Sequence, residues 1–412
     1  MQTALKIAFG MAAGLSGALA AHATEGSADS LSAAVASTKL IIDTRLRLEE
    51  VDQDPMTNKA EAVTLRARLG FETGKLWDTS LLAEGEFVWP WKSDYNSTTN
   101  GNTTYPTVAD PESYEFNRLQ LSNTSLPQTT VTLGRQRIGL DDQRFIGNVG
   151  WRQNEQTYDS LRVVNTSLPH WTFDVAYINQ VNRVFGKESP QGRYEGNSYV
   201  ANASYEFPIG KLSAFGYWLE FDPIANVPAA AGDSSQTYGA RFAGEYKNDK
   251  WKLGYAASYA SQQEYGENPL TFDNDYYLLE LIGTYDKYSL GAGVESLAGD
   301  GTKGFATPLA TLHKFQGWAD KFLTTPVDGV EDKYVNATML FKKVGPLETL
   351  SGTVSYHQFD AERTSIDYGS EINLQVQAKW QKFQATVKYA DYAADRLFTD
   401  TTKFWVQLEY IW

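Results

Sequence analysis

The 412-residue chain contains no cysteine, so neither a disulfide framework nor a thiolate metal site can be built from it. Histidine is nearly as scarce, with four residues, one of them in the leader described below, which leaves little imidazole for acid–base work or metal ligation. Past the first two dozen residues, no stretch approaches the roughly 18 consecutive apolar residues that a membrane helix needs, and a helical membrane protein is thereby excluded. Positive charge is in deficit: 36 Lys and Arg stand against 50 Asp and Glu, a formal net charge of −14. A chain of that sign lacks the basic surface on which nucleic-acid phosphates depend. There is no Walker-type phosphate loop and no zinc-ligand spacing, so no cofactor is expected.

The composition that remains is 42% hydrophobic and 13% aromatic, yet the mean hydropathy is negative. That is too polar for helices in lipid and too aromatic for disorder. A β-barrel in lipid satisfies both, because alternate side chains of each strand face lipid and water. The first residues carry Lys6, a small and apolar run from Ile7 to Ala20, and Ala21-His22-Ala23 before Thr24, the order of a cleaved secretory signal peptide. The expected organisation is therefore a leader over 1–23, a periplasmic N-terminal segment over 24–37 and an outer-membrane barrel over 38–412. No Pro/Gly/Ser linker divides the barrel.

Backbone polar groups in lipid must be satisfied within the protein, so strands that span a bilayer close into a barrel. At the C-terminus Phe404, Val406, Leu408, Tyr410 and Trp412 share one face, and Gln407 and Glu409 the other. This ending resembles the C-terminal segment by which Gram-negative outer-membrane proteins are recognised, which implies the barrel-assembly machinery as a partner. Followed back through the chain, the same two-residue period gives an all-β, transmembrane, antiparallel up-and-down β-barrel of eighteen strands, with sixteen as the alternative count. The strands fall at 38–51, 60–73, 78–89, 113–124, 129–138, 155–165, 170–181, 196–207, 210–221, 235–247, 250–262, 274–286, 287–297, 332–343, 348–360, 369–381, 382–392 and 401–412.

Connection lengths alternate. Tight links such as Pro208-Ile209, Asn248-Asp249, Gly345-Pro346 and Gln381-Lys382 are separated by long ones near 90–112, 139–154, 182–195, 222–234, 263–273, 298–331 and 393–400. Short periplasmic turns and long outer loops are the pattern of a bacterial barrel, with both termini in the periplasm. Tyr177, Tyr205, Tyr246, Tyr255, Tyr285, Tyr389 and Trp251 fall on the apolar parity, either as interfacial girdles or as ordinary strand formers. Sixteen to eighteen strands enclose an aqueous channel rather than a filled core.

Parity then assigns the inner wall. With Leu40, Ile42, Leu46 and Leu48 toward lipid, Asp43, Arg45, Arg47 and Glu49 face inward; with Val63, Leu65, Leu69 and Phe71 outward, Arg66, Arg68 and Glu72 face inward. An Arg facing lipid at the midplane costs about 2–4 kcal/mol, which enforces this alternation. The same parity turns Glu84, Glu86, Arg118, Arg162 and Arg241 to the lumen, and twelve of the fifteen arginines precede residue 200. Two readings stand: a positively charged wall with carboxylates nearby that selects anions, or arginines that pair with Glu72, Glu84 and Glu86 to stiffen the barrel.

The densest polar run is Gly134–Arg162, with Arg135, Arg137, Arg144, Arg152 and Arg162 against Asp141, Asp142, Glu155 and Asp159. This run, together with Arg66-Ala67-Arg68-Leu69-Gly70-Phe71 and Leu82-Ala83-Glu84-Gly85-Glu86, resembles the alginate export porin family. The resemblance implies an eighteen-stranded barrel with a positive constriction for anionic polysaccharide. Carried to matching positions, it makes Arg66, Arg68, Glu84, Glu86, Arg135, Arg144, Arg152 and Arg162 candidate pore-lining residues. Arg135 and Arg137 share the lipid-facing parity of Val131 and Leu133, so they require a bulge or a position beyond the membrane. No counterpart of a long periplasmic plug segment is found, which suits an open channel better than a gated exporter.

The expected function is that of a monomeric or weakly oligomeric passive outer-membrane channel for anionic solutes or acidic saccharides, with lipid as its surroundings. A dedicated polysaccharide exporter is the alternative within transport, and an outer-membrane hydrolase the alternative outside it. For the latter, His170 falls in a periplasmic turn, His313 in an outer loop, and His357 near a strand's outer end, two residues from Ser355; no catalytic motif surrounds them. Asp141-Asp142 and Asp273-Asn274-Asp275 are oxygen-rich but match no full calcium loop. The segment 298–331, with Trp318 and Phe322, is either a lid over the lumen or an outer loop with its own apolar cluster.

Overall fold

The computed structural model describes residues 30–224 and 229–412. The expected leader over 1–23 and residues 24–29 of the N-terminal segment lie outside the described residues. Eighteen strands follow one another: β1 Lys39–Gln53, β2 Ala60–Glu72, β3 Thr79–Asp94, β4 Ser113–Asn123, β5 Thr129–Gln136, β6 Thr157–Asn165, β7 Trp171–Asn182, β8 Arg193–Phe207, β9 Gly210–Leu219, β10 Ser235–Lys247, β11 Trp251–Glu264, β12 Asp273–Tyr285, β13 Tyr288–Leu297, β14 Val330–Val344, β15 Leu347–Asp360, β16 Asp367–Trp380, β17 Phe383–Ala394 and β18 Thr401–Ile411. Each pairs antiparallel with its sequence neighbours, and β1 pairs with β18 to close the sheet. No helix among the described residues is long and apolar enough to cross a membrane.

Every expected strand is present, and the count is eighteen. The largest difference is β3, which runs to Asp94 rather than residue 89. Pro90 has no N–H to give the ladder, which is why a sequence reading stops there. The chain continues the strand by a register shift opposite Val63 and Thr64, and Trp89 and Trp91 both remain on the exposed outer face.

The two faces separate as parity requires. Leu40, Leu121, Leu133, Leu279, Leu290, Val376 and Tyr177 are exposed on the outer face, with Tyr246, Trp251 and Tyr285 toward the strand ends. In the lumen, the connections β5–β6 (137–156) and β13–β14 (298–329) do not stay outside. They bury Ile138, Leu140 and Ile146 from the first, and Phe305, Leu309, Trp318 and Phe322 from the second, against inward Phe215, Tyr217, Tyr276, Phe359 and Trp405. Side chains of that kind are too apolar to be solvated over an outer mouth, and burying them inside removes the apolar area from water. The loops also bond to each other: Gly147 N–H donates to the Leu309 carbonyl (2.8 Å), Thr311 N–H to the Gln143 carbonyl (3.0 Å), and Gln156 Nε2 to the Leu309 carbonyl (3.0 Å). Of the two readings of the long segment, the fold realises the one inside the lumen.

Helical structure is marginal. Helix α1, Leu31–Ala36, is capped by the Ser30 side chain, and its Ala34 carbonyl accepts the Gly74 N–H (3.0 Å) at the β2–β3 turn. Among the described residues there are also a four-residue helix, α2 Ala229–Gly232, before β10, and a 3-10 turn, Leu312–Lys314, within the second lumen loop.

Candidate functional site

The arginines of β1 and β2 all point inward and are all buried, but beneath a loop rather than along an open path. Arg45 Nε donates to Glu409 (2.6 Å), and its Nη1 reaches the carbonyls of Gly150 (3.1 Å), Trp151 (2.9 Å) and Arg152 (3.2 Å). Arg47 donates to Gln407 and to the Trp151 carbonyl (2.5 Å) and lies over the Trp151 ring at 4.0 Å. The fork of guanidinium donors suits this task, because one arginine fixes several carbonyls of an otherwise irregular backbone. Gln153 completes the seam, its N–H on Asp110 (2.8 Å) and its Nε2 on the Thr64 hydroxyl (2.8 Å).

The remaining predicted residues of this wall form an ionic network, in which Arg66 Nε and Nη1 and Arg68 Nη2 are left without hydrogen-bond partners. Arg66 pairs with Asp43, and Arg68 with Glu86 and, at 3.6 Å, with Glu155. Glu84 takes Arg118 in a two-pronged contact (2.9 and 2.6 Å) and Asn117 at 2.7 Å. Asn117 is the extra residue of a bulge opposite Glu84 and Gly85, and the bulge turns both it and Arg118 to the lumen. Glu155 accepts from Arg137 and Asn117 (2.5 Å each), and although burial opposes the charge, Arg68 and Arg137 hold its carboxyl far below the usual range. Arg152 bridges Glu49 (3.1 Å) on the wall and Asp320 (3.0 Å) on the second loop. Arg162 pairs with Asp174 (2.8 Å) and keeps partial exposure. Of the pairings expected with Glu72, Glu84 and Glu86, Arg68–Glu86 and Arg118–Glu84 are formed, whereas Arg45, Arg47, Arg66 and Arg152 take Glu409, Asp110, Asp43 and Glu49.

Arg135 needs correction. Gly134, at φ +114° and with the Leu119 carbonyl 2.3 Å from where a Cβ would stand, keeps β5 tight against β4. The next residue, Arg135, stays on the outward parity opposite Asp159, to which it donates at 2.7 and 2.9 Å. It belongs to the outer face. Arg137, one residue beyond β5, escapes the strand's parity and turns in to Glu155.

The open space lies across the lumen, against β10 and β12–β15. A cavity of about 70 Å³ is lined there by Arg241, Lys314, Asp142, Glu280, Tyr334 and His357, with Phe315 and Trp318 among its apolar walls. Arg241 pairs with Asp142 (3.1 Å), and the Lys314 ammonium donates to the Asp142 carbonyl (2.8 Å). Burial would raise the Asp142 carboxyl, but Arg241 and Lys314 overcome it and lower its pKa; burial lowers that of Lys314. Arg144 pairs with Glu295 (2.7 Å), lies over Phe315 at 4.8 Å, and has its Nη2 without a hydrogen-bond partner. Arg241 Nη1, though beside Asp142, is off the hydrogen-bond direction and also lacks a partner. Cations and carboxylates therefore alternate around the passage, with donors left over.

His357 shares this cavity and bonds Asp332 through Nδ1 (2.9 Å), but among the described residues no hydrogen bond joins Ser355 to its ring, so the nucleophile contact of a hydrolase is not formed. Asp141 is taken up by Asn202 and Ser213 (2.7 Å each) and Lys211, and Asp275 accepts Tyr259. Sequence reasoning missed Lys388 and Lys403, which the inward parity of β17 and β18 would have yielded. It also missed Asp110, Lys314 and Asp320, loop residues that no period places.

The family described as alginate export matches residues 108–268. No curated protein matches the sequence. Among solved structures, Pseudomonas aeruginosa OpdO is similar with a TM-score of 0.71 at 13% identity, over 92% of this chain and 98% of that one. Acinetobacter baumannii OccAB4 follows at 0.70 and 13%, over 91% and 98%. Pseudomonas aeruginosa OpdK, solved with vanillate, gives 0.67 and 14%, over 91% and 99%. At such identities these likenesses show a shared eighteen-stranded barrel fold.

Proposed function

We propose that the chain is a passive outer-membrane channel for small anionic solutes, which pass through the cavity lined by Arg241 and Lys314. The observation that carries this reading is a cavity lined by two cations, Arg241 from a wall strand and Lys314 from a lumen loop, with Arg144 buried behind its Glu295 and Phe315 walls and an Arg241 N–H donor unused. Asp142, Glu280 and Glu295 facing them make a transverse field, in which an anion exchanges one cation for the next without a deep trap. The vanillate with which OpdK was solved is a small carboxylate of the class proposed here. The membrane, the periplasmic termini, the cleavable leader and the assembly machinery belong to the same proposal, and no catalytic step is assigned.

Export of an anionic polysaccharide is a second reading, favoured by the alginate export match over 108–268. Against it stand the backbone bonds of Gly147 and Thr311 that join the two loops across the lumen.

The test is single-channel current in a planar bilayer under a salt gradient, with titration of vanillate, short oligoalginate and a neutral sugar. Anion-selective current blocked by the acids and not by the neutral sugar is expected. Cation selectivity, or equal block by the neutral sugar, would overturn the proposal, and block that strengthens steadily with oligoalginate length would favour the polymer.

A further inference from the structure

The two lumen loops meet the barrel wall around one ammonium. Lys388, on the inward face of β17, is buried, and its Nζ stands 3.8 Å from the Trp318 ring centroid, 4.1 Å from Trp151 and 5.5 Å from Trp405. Its hydrogen bond is to His313 Nε2 at 2.7 Å, and among the described residues no carboxylate lies within ion-pair distance of it. A buried ammonium without a counter-ion is normally costly, and aromatic faces are the remaining means of stabilising it.

The cage is built from three separate parts of the chain. Trp151 comes from the β5–β6 loop, His313 and Trp318 from the β13–β14 loop, and Trp405 from β18. Trp151 stacks on His313 (4.3 Å, 5°) and meets Trp405 edge-on (5.9 Å, 77°). The indole N–H groups of Trp151 and Trp405 are buried and have no hydrogen-bond partner. A buried indole ordinarily finds one, so these rings are oriented by the faces they turn to the ammonium. Around them, Asp320 accepts from His313 Nδ1 (2.7 Å), Arg152 (3.0 Å) and Lys403 (2.9 Å), and Glu371 accepts the N–H groups of Trp318 and Ala319.

We infer that Trp151, Trp318, Trp405 and His313 form an ammonium-binding site that the chain fills with its own Lys388, and that its occupancy pins both loops in the constricting position. Lys388 is a positioning residue: Trp318 walls the solute cavity on one side and holds the ammonium on the other. The inference rests on the loops forming the constriction but not on which solutes pass, and it is read with chloride current alone.

The experiment is Lys388→Ala, which removes three methylenes and the ammonium and leaves a cage matched to n-propylammonium. The expected result is an open substate whose population rises about tenfold or more, the factor given by 1.4 kcal/mol of lost cation–π contact. Addition of n-propylammonium should restore the wild-type current, whereas n-propanol should not. Wild-type current in the folded variant, or rescue by propanol as well, would overturn the inference. Lys388→Met is the companion: it fills the volume without charge and should behave as the alanine variant does without propylammonium, and a wild-type current from it would show packing alone. Should neither variant fold, reductive methylation of the wild-type barrel gives the answer. Lys388 must stay unmodified while the exposed Lys59 and Lys333 react, and ready modification of Lys388 would sink the cage.

Discussion

Arg47 holds Trp151 twice, by a hydrogen bond to its carbonyl (2.5 Å) and by lying over its indole at 4.0 Å. One side chain thereby fixes both the backbone and the ring of the loop residue that stacks on His313. Arg47→Met keeps the stem and removes the fork. It also strips Asp110, 3.5 Å away, of one of its two arginine neighbours. Breaking a buried ionic contact from one side costs about 3–5 kcal/mol. The variant should unfold at lower temperature, as read by heat-modified electrophoretic mobility, and its bilayer current should become larger and noisier. A quiet, wild-type trace would mean that Arg47 does not hold the loop.

Arg66 and Arg68 are the residues a parity argument most readily assigns to selectivity, yet neither lines the open cavity. Both are buried and paired with Asp43, Glu86 and Glu155. Replacing both with Ser leaves Asp43 and Glu86 without an arginine partner and Glu155 with Arg137 alone, so the double variant should lose stability by about 3–5 kcal/mol, while any folded fraction keeps the wild-type reversal potential.

Arg241→Ser should do the reverse. Arg241 lines the open cavity, and Asp142 retains Lys314 as a neighbour when it is removed. The reversal potential under a salt gradient should move toward cations, with folding intact. If the Arg66/Arg68 variant moves it and the Arg241 variant does not, the path runs along the other wall.

The barrel was legible because a membrane imposes a strict period of two: Arg45, Arg47, Arg66 and Arg68 are inward as parity demands. What parity does not contain is depth or cover. It locates Arg66 and Arg241 on the same inner face, yet one lies under Gln153 and its neighbours and the other beside open space. Loop residues have no period at all, so Asp320 and His313 carry no sign of their meeting with Lys403 and Lys388. The clue that was present is composition: Phe305, Leu309, Trp318 and Phe322 are too apolar for a solvated loop.

Acid should loosen the constriction. Burial and the Lys388 ammonium push the His313 imidazole down to about 3, against the opposing pull of Asp320. A folded value below the ordinary 6.5 means that the unfolded loop binds the proton more readily. The anchorage from His313 is complete above about 6.5 and declines as pH falls toward about 3. Asp320 acts in the same direction at the acid end. Burial works against its charge, but Lys403, His313 and Arg152 hold it well below the ordinary 3.8, so its contribution is lost as pH falls through that depressed value. Current recorded from pH 7 down to pH 3 should show a growing open substate. In His313→Gln the part above pH 4 should be absent, and an unchanged profile would remove His313 from the latch.

Arg135→Ala is the contrasting case. Arg135 stands on the outer face with Asp159, and the pair's side chains are 22% and 28% exposed. Its guanidinium also donates to the Phe116 carbonyl (3.1 Å), so truncation frees one partly exposed carboxylate and one carbonyl near the end of β5 that enters the long β5–β6 connection. A partly solvated pair of this kind is worth about 0–1 kcal/mol. The melting temperature should fall slightly, and the reversal potential and the block by carboxylates should match the wild type. Because Arg135 sits only one residue from the inward Gln136, the experiment also tests the register that Gly134 secures. A selectivity change as large as that of Arg241→Ser would require the β5 ladder to be shifted by one residue, with Arg135 in the lumen after all.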